Sequence, residues 1–346
     1  MTSILERPAV VATTPRRLSA VGPNWYATVM GTGIVADAAV TLPHQVTGLH
    51  TVALLVWLLA VGLLVAVTVA TVTHWRLHPV EARAHLRHPV MGNFYGAMPM
   101  SLLTVATGTL LLGRDLVGLP AALTIAWVLW VVGTLGGLVC AALLPVVRGA
   151  GSAFGGWLMP VVPPMVSAAT GALLAAHLAP GPGRHAMVVL CYGLFGFSLL
   201  ASAVVIPLVL RRLVAHGPGP AALVPTLWIV LGPLGQSITA AHLLGLVAGP
   251  GARTFGLAYG LVAWAAAMAW LAVVAVITVL ARPPFGLPWW SFTFPLGTVV
   301  TGTSALAAAT GWAVLASWAV VLYVGLVTAW LVVGVLTARR ARTLLA

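Results

Sequence analysis

The chain carries few side chains capable of chemistry, and one of them, Asp37, follows an apolar run that reads MGTGIVA. It is the only carboxylate that we place inside a helix. An ionised carboxylate is costly in apolar surroundings unless it is paired or serves a function. Asp37 is therefore either a group that links protons to the movement of a ligand, or a neutral, hydrogen-bonded residue between helices near a water-accessible surface.

Neutral hydrogen-bonding side chains occur at comparable depths in other apolar segments, namely Thr32, Asn93, Gln236, Ser237 and Thr293. Hydroxyl and amide groups of this kind can replace part of the hydration shell of an ion in a narrow pathway. They can equally join helices through hydrogen bonds, which is a common role for polar side chains in helix bundles. The sequence alone leaves both roles open.

Histidines suggest a different chemistry. His74, His177 and His242 lie in or at the ends of apolar segments, and histidines on facing helices can hold haem in a membrane oxidoreductase. A haem- or metal-binding oxidoreductase subunit is therefore the alternative function, although we expect no cofactor, no metal and no catalytic residue. The stretch HWRLHPVEARAHLRH also has metal-ligand composition, but its irregular spacing, proline and arginines favour a solvated basic loop; its histidines are His74, His78, His85 and His88.

Composition identifies the solvent in which these side chains act. Of 346 residues, 61% are hydrophobic and 6% are charged, and the mean hydropathy is +1.09. This is more apolar surface than a soluble core could bury, so a multi-pass membrane protein surrounded by lipid is predicted, with no nucleic-acid partner. Cys140 and Cys191 fall in separate apolar segments, where packing accounts for both.

The predicted fold class is an all-α membrane protein, because ten segments each provide the roughly 20 apolar residues that a spanning helix needs. Residues 25–337 form the membrane domain, between a cytoplasmic arm at 1–24 that lacks signal-peptide features and a cytoplasmic tail at 338–346. The predicted spans are 25–42, 48–75, 93–112, 120–144, 157–178, 186–210, 223–248, 256–280, 290–310 and 312–337.

The arginines orient these spans. Thirteen arginines fall on one side of the membrane, whereas Arg114, Arg184 and Arg253 fall on the other. Because positive charge concentrates in short cytoplasmic loops, both termini are predicted to be cytoplasmic in a cell inner (plasma) membrane. The asymmetry also supports the helix count, because one helix more or fewer would move the arginines of all later loops to the opposite side of the membrane.

The odd-numbered spans share an opening in which an aromatic residue is followed five or six residues later by glycine or proline. The aromatic residues recur at intervals of 69, 63, 71 and 62 residues, one helical hairpin each time. Irregular backbone at membrane depth is expected to be buried or to line a cavity, so five bent helices are predicted to surround a pore inside five straight ones. The pairs are Trp25 with Gly31, Phe94 with Pro99, Trp157 with Pro163, Trp228 with Pro233, and Trp290 with Pro295.

A pore of this kind favours anions. The odd helices all start at the arginine-rich mouth, where their dipoles are positive. No helix interior contains an arginine, so the pore would have no fixed positive charge to hold an anion. Anions would then bind weakly, as in a channel or low-affinity carrier. The candidate pore-lining residues are Gly31, Thr32, Gly33, Asp37, Asn93, Phe94, Pro99, Pro160, Pro163, Gly232, Pro233, Gln236, Ser237, Thr293 and Pro295.

Four segments resemble the tellurite-resistance/dicarboxylate transporter family: MGTGIVA from Met30, HPVMGNFYGAMPMS from His88, GPLGQS from Gly232 and WWSFTFP from Trp289. That family includes plant slow anion channels, yeast malate permeases, fungal sulfite pumps and bacterial tellurite-resistance proteins. The resemblance implies five hairpins with quasi-fivefold symmetry around one pore per protomer, and a homotrimer. It also implies a small anion as substrate: sulfite, a four-carbon dicarboxylate such as malate, chloride or nitrate. A scaffold subunit without transport is a third class.

The resemblance further implies that a phenylalanine in the ninth helix plugs the pore, which places the gate in the segment SFTFP. Of its two phenylalanines, Phe294 immediately precedes Pro295. An apolar ring on the axis blocks a hydrated ion because the ion would lose water without receiving other ligands. The alternative role of Phe294 is packing between helices, and Phe292 lies on a different helix face.

Overall fold

The computed structural model describes residues 21–148 and 153–344, in which all regular structure is helical. Residues 1–20, most of the predicted N-terminal arm, lie outside the described residues. Within the described ranges the α-helices are α1 (Tyr26–Thr41), α2 (Leu49–Leu77), α3 (Pro79–Arg87), α4 (Ala97–Gly108), α5 (Arg114–Val117), α6 (Leu119–Arg148), α7 (Pro163–Ala176), α8 (Pro182–His216), α9 (Leu231–Ala248), α10 (Pro250–Ala281), α11 (Phe294–Thr310) and α12 (Ala313–Leu344).

Eight segments of the described chain are long and apolar enough to cross a membrane. The helical multi-span class is thereby confirmed, whereas the predicted ten spans are met only in part. The two missing segments contain the short helices α1 and α7, of 16 and 14 residues. A 14-residue helix is about 21 Å long, which is less than the roughly 30 Å hydrocarbon core of a bilayer.

Burial divides the spans into two groups. In three of them, 72% to 78% of the most apolar 18-residue stretch is buried inside the protein. These are Met91–Val117, Ala221–Ala248 and Leu287–Thr310. The long helices α2, α6, α8, α10 and α12 have only 22% to 33% buried. Their exposed large hydrophobic residues are mostly Leu and Val, as expected for helices that face lipid rather than water.

The more buried helices form a closed ring together with α1 and α7. Helix α1 contacts α4, α4 contacts α7, α7 contacts α9, α9 contacts α11, and α11 contacts α1. The long helices pack outside this ring, α2 and α12 against α1 and α10 against α9. We call α1, α4, α7, α9 and α11 the inner helices.

Each inner helix begins after a 3-10 turn, and these turns contact one another in the same cyclic order. The turns are Pro23–Trp25, Met91–Gly96, Gly155–Leu158, Ala221–Val230 and Leu287–Phe292. The prolines that were expected to bend helix interiors instead occupy the first turn of an α-helix, where a missing N–H is tolerated. These first-turn prolines are Pro99, Pro163, Pro233 and Pro295.

Close approach of two inner helices depends on glycine. A Cβ placed on Gly235 of α9 would lie 2.5 Å from the carbonyl carbon of Thr298 and the nitrogen of Val299, both main-chain atoms of α11. A Cβ on Gly31 of α1 would collide with the hydroxyl of Thr293. Small residues thus bring the inner helices into backbone contact, as in other membrane bundles.

Candidate functional site

The inner helices line a partly open cavity of about 280 Å³. Every one of them contributes to its wall, and the segment after α4 adds Leu111. No arginine of the described chain lines it. The lining residues are Ile34, Asp37, Thr41, Thr104, Thr107, Leu111, Val166, Ala169, Leu173, Gln236, Thr239, His242, Leu243, Phe294, Thr301, Ser304, Ala305 and Ala308.

Hydroxyl groups link neighbouring inner helices around this cavity. The Oγ1 atoms of Thr107 and Thr170 are 2.8 Å apart, joining α4 to α7. Those of Thr239 and Thr301 are 2.9 Å apart, joining α9 to α11. On α9, residues 236, 239 and 242 recur every three positions and therefore lie on one face. The wall thus combines apolar surface with neutral hydrogen-bonding groups.

Two polar side chains of the cavity wall have a buried oxygen without a hydrogen-bond partner in the described structure. Asp37 is 3% exposed, and its Oδ1 has no partner. A Cβ on Gly108 of α4 would lie 2.9 Å from that oxygen, so the carboxyl group is fitted against the glycine. Ser304 of α11 is 2% exposed, and its Oγ likewise has no partner. A buried polar atom without a partner needs an explanation, and both residues line the cavity.

Phe294 lies between this cavity and a second, much smaller one. It lines both, and it is 2% exposed. The second cavity, of about 10 Å³, lies toward the N-terminal ends of the inner helices. Its lining residues are Ala27, Met30, Phe94, Met100, Met159, Val162, Ile229, Gly232, Ser291, Phe294 and Pro295.

The other phenylalanine of the SFTFP segment has different surroundings. Phe292 packs edge-on against Trp228, with ring centroids 5.1 Å apart, and against Trp289 at 5.5 Å. It lines neither of the two cavities.

The sequence-based candidates divide between the cavities and the helix contacts. Asp37 and Gln236 line the larger cavity, and Phe94, Gly232 and Pro295 line the smaller one. The remaining candidates are absent from both linings: Gly31, Thr32, Gly33, Asn93, Pro99, Pro160, Pro163, Pro233, Ser237 and Thr293.

Several of these remaining side chains make contacts between helices or within a turn. Thr32 accepts a hydrogen bond of 3.1 Å from Nε1 of Trp330 on α12. Ser237 accepts one of 2.8 Å from the hydroxyl of Tyr259 on α10. Asn93 Nδ2 donates to the carbonyl of Pro89 at 2.7 Å within the turn that precedes α4.

Glycine and proline candidates make close contacts with neighbouring helices. A Cβ on Gly33 would lie 2.7 Å from a methyl group of Thr104. Pro99 and Pro163 face glycines of α6, because a Cβ on Gly137 would lie 2.7 Å from the Cβ of Pro163 and one on Gly136 would lie 3.6 Å from that of Pro99.

Six polar residues of the larger cavity were not among the candidates: Thr41, Thr104, Thr107, Thr239, Thr301 and Ser304. His242 was considered only as a haem ligand, yet it too lines this cavity. The three-residue spacing from Gln236 through Thr239 to His242 was the available signal for one shared face. No comparable signal existed on α11, where buried residues occur all round the helix.

The histidine-rich stretch forms a compact cluster at the end of α2 and along α3. The rings of His74 and His85 stack with centroids 5.4 Å apart, and the His74 and His78 rings are 5.8 Å apart. His74 is 1% exposed, so it is buried rather than solvated. The described residues contain no group of three or more His, Cys, Asp or Glu side chains arranged to hold a metal ion.

Burial lowers the pKa of His85 below its ordinary value of 6.5, and the neighbouring His74 and His88 act in the same direction. Glu81 opposes them. The neutral imidazole is therefore favoured when α3 is docked against α2.

The described chain is all-helical, with eight segments long and apolar enough to cross a membrane and inner helices that line a cavity. A family model described as voltage-dependent anion channel, SLAC1, matches residues 20–338. The chain belongs to this family of anion channels and transporters. The match confirms the resemblance carried by the four motifs.

Curated relatives are similar over most of their own lengths. The sulfite efflux pump SSU1 of Arthroderma otae is 27% identical over 302 residues, which cover 82% of this chain and 80% of the relative. The corresponding pump of Trichophyton rubrum is 26% identical over 302 residues, with the same coverage. The uncharacterized transporter MJ0576 of Methanocaldococcus jannaschii is 28% identical over 294 residues, covering 81% of this chain and 82% of the relative.

Proposed function

We propose that the protein conducts small anions across a membrane through a pathway along the axis of the inner helices. The observation that carries this proposal is a cavity to which all five inner helices contribute and which is bounded on one side by a buried phenylalanine. Sulfite is the first candidate substrate, because curated relatives are named sulfite efflux pumps. A four-carbon dicarboxylate such as malate, chloride and nitrate are the other candidates.

The chemistry of the wall suits an ion that must both enter and leave. The hydroxyl of Ser304, whose Oγ has no partner, and the amide of Gln236 can donate hydrogen bonds to an anion in place of water molecules. The hydroxyls of Thr41, Thr104 and Thr301 already donate to main-chain carbonyls. No arginine of the described chain lines either cavity, so no fixed positive charge would hold the anion tightly. Weak binding of this kind supports rapid passage.

Phe294 is proposed as the gate. Its ring lies between the two cavities, where an anion moving from one to the other would have to pass it. A hydrated ion in contact with an apolar ring loses water ligands without gaining others, which is the basis of hydrophobic gating. Displacement of this one ring would join the larger cavity to the 3-10 turns at the opposite mouth.

For the membrane orientation and the assembly we propose the arrangement that the sequence predicts. We propose ten spans as five hairpins with quasi-fivefold symmetry, in which short α1 and α7 are completed by the 3-10 turns before them. The cyclic contacts of the inner helices support this arrangement. Both termini are proposed to be cytoplasmic in the plasma membrane, from the arginine bias. The protomers are proposed to form a homotrimer, as the family resemblance implies.

Reconstitution tests the function. The purified full-length protein in liposomes is loaded in parallel with sulfite, malate, chloride and nitrate, and efflux of each is measured against protein-free liposomes. Saturable or conductive efflux of at least one anion above the protein-free level supports the proposal, and where the efflux carries current its reversal potential should follow the anion gradient. Absence of flux for all four anions, or reversal potentials that follow a cation gradient, would contradict it.

A further inference from the structure

Asp37 and His242 are the two titratable side chains among the described residues that line the larger cavity. They come from different inner helices, α1 and α9. His242 is half-buried and lies close enough to Arg253, at the start of α10, to interact with its charge. No ion pair of the described chain includes Asp37, and its Oδ1 has no hydrogen-bond partner in the described structure. The cavity wall therefore holds one acidic group that is not neutralised by a cation.

The elements packed against α1 bring no cation to Asp37. Helices α4 and α11 contain no titratable residue. His50, at the start of α2, is half-exposed and lies 3.2 Å from the carboxylate of Asp115. Tyr323 of α12 packs against an apolar cluster that includes Ala36 and Ala39 of α1. The other titratable residues of α2 and α12 with described side chains lie near the C-terminal ends of these helices: His74, Arg76, Arg339 and Arg340.

We propose that an anion occupies the cavity only when Asp37 carries a proton, and that Asp37 takes up this proton from the side where the anion enters and releases it to the side where the anion leaves. Each anion then crosses together with one proton. The proposal rests on the anion-transport function above and assigns its coupling. Two like unit charges about 6 Å apart, at an effective dielectric constant of about 20, lower the affinity by roughly 100-fold. A protonated carboxyl group, in contrast, donates a hydrogen bond to an anion. The same side chain is thus repulsive when ionised and a ligand when neutral.

Binding of the anion and protonation of Asp37 affect each other equally. If protonation of Asp37 raises anion affinity by a given factor, a bound anion raises proton affinity by the same factor. The Ser304 hydroxyl, whose Oγ has no partner, supplies a second donor on the same cavity wall. A monovalent anion that enters with one proton forms a neutral pair, which also removes the cost of carrying net charge through the membrane.

Nitrate flux in proteoliposomes separates this coupling from the titration of the substrate, because nitrate stays ionised throughout the usable pH range. For the native protein we expect nitrate flux to rise several-fold from pH 7.5 to pH 5.5, to respond little to an imposed membrane potential, and to move protons that an internal dye reports. In Asp37→Asn, which keeps a neutral donor, flux should become independent of pH, respond to potential and move no protons. His177 is exposed at the end of α7 and lines neither cavity, so His177→Gln is the control that should retain the native coupling. His242→Gln separately tests the other titratable side chain of the cavity wall.

The outcomes distinguish this inference from the proposed function. Nitrate flux in the native protein that is independent of pH and follows the membrane potential would overturn the coupling and leave anion transport standing. Native coupling that persists in Asp37→Asn but disappears in His242→Gln would move the titrating group to His242 and overturn the role of Asp37. Absence of flux for every anion tested would overturn both. The native measurement decides for or against coupling even if Asp37→Asn does not fold, and Asp37→Ser is the second variant.

Discussion

The ring of Phe292 packs edge-on against the indole of Trp228, with centroids 5.1 Å apart and an angle of 75° between the ring planes. Two residues later, Phe294 begins α11 and lines two cavities instead. One short segment therefore presents one phenylalanine to an aromatic cluster and the other to the proposed pathway. The pair offers a matched test of gating against packing.

Phe294→Ala is expected to raise anion flux about ten-fold or more, since removal of an apolar obstruction worth about 1.4 kcal/mol of barrier gives that factor. Phe292→Ala should lose packing against Trp228 and Trp289, lower thermal stability and leave flux unchanged or reduced. Flux of both variants is measured in liposomes at equal protein content. If Phe292→Ala alone opens the pathway, the gate lies two residues earlier; if neither variant does, no phenylalanine of this segment is the gate.

Contact between α9 and α11 predicts an unequal response of two glycines on one helix. Gly235→Ala places a Cβ against main-chain atoms of α11, which can give way only by separation of the helices. A Cβ on Gly232 would have no atom within 4 Å. We expect Gly235→Ala to destabilise the protein by about 1–3 kcal/mol, as overpacking does. Gly232→Ala should be neutral or slightly stabilising, because alanine favours helix.

Denaturant titration of the detergent-solubilised variants, followed by tryptophan fluorescence, measures this difference in free energy of unfolding. Equal stability of the two alanine variants would show that α9 and α11 do not approach each other at Gly235.

The order and extent of the helices were predictable because hydropathy and the bilayer dictate them. The predicted span 256–280 is observed as Pro250–Ala281, and 290–310 as Leu287–Thr310 with an interruption at Thr293. The predicted tail at 338–346 is largely a continuation of α12 to Leu344. What hydropathy does not report is a 3-10 turn, which is as apolar as the α-helix after it. For this reason Pro295 was assigned to a helix interior, although it lies at the start of α11.

The inward face of each helix was much less predictable than its length. An inner helix is buried on all sides, so apolar and small residues surround it and no periodic contrast marks the face toward the cavity. Gln236 lines the cavity, whereas the next residue, Ser237, receives a hydrogen bond from Tyr259 on α10. Thr32 likewise contacts Trp330 of α12. Asp37 was the clearest cavity-lining candidate in the sequence, because a carboxyl group in an apolar helix needs a physical reason.

The arginine distribution predicts that α3 lies on the cytoplasmic side. A single cysteine at the exposed position Arg83 should react with an impermeant thiol reagent in inverted vesicles but not in intact cells. Arg253→Cys, in the exposed start of α10, is the matched control and should react in intact cells. Both are made with Cys140 and Cys191 replaced by alanine. The opposite pattern would reverse the membrane orientation, and labelling of both positions from one side would contradict the predicted number of spans between them.

Docking of α3 is predicted to weaken at acidic pH through His85. Burial, together with His74 and His88, places the pKa of docked His85 below its ordinary value of 6.5. Undocked α3 therefore binds a proton more readily than docked α3. The stabilising contribution of neutral His85 is fully present above pH 6.5, and it is lost as the pH falls through the lower, docked-state pKa.

Hydrogen exchange of the α3 amides should therefore accelerate between pH 7 and pH 5 beyond the intrinsic pH dependence of exchange. His85→Gln removes the titrating group, so its α3 amides should lose the excess acceleration while retaining a neutral hydrogen-bonding side chain. His216→Gln, at the exposed end of α8, should behave like the native protein. An excess that persists in His85→Gln would assign the acid sensitivity to another member of the histidine cluster.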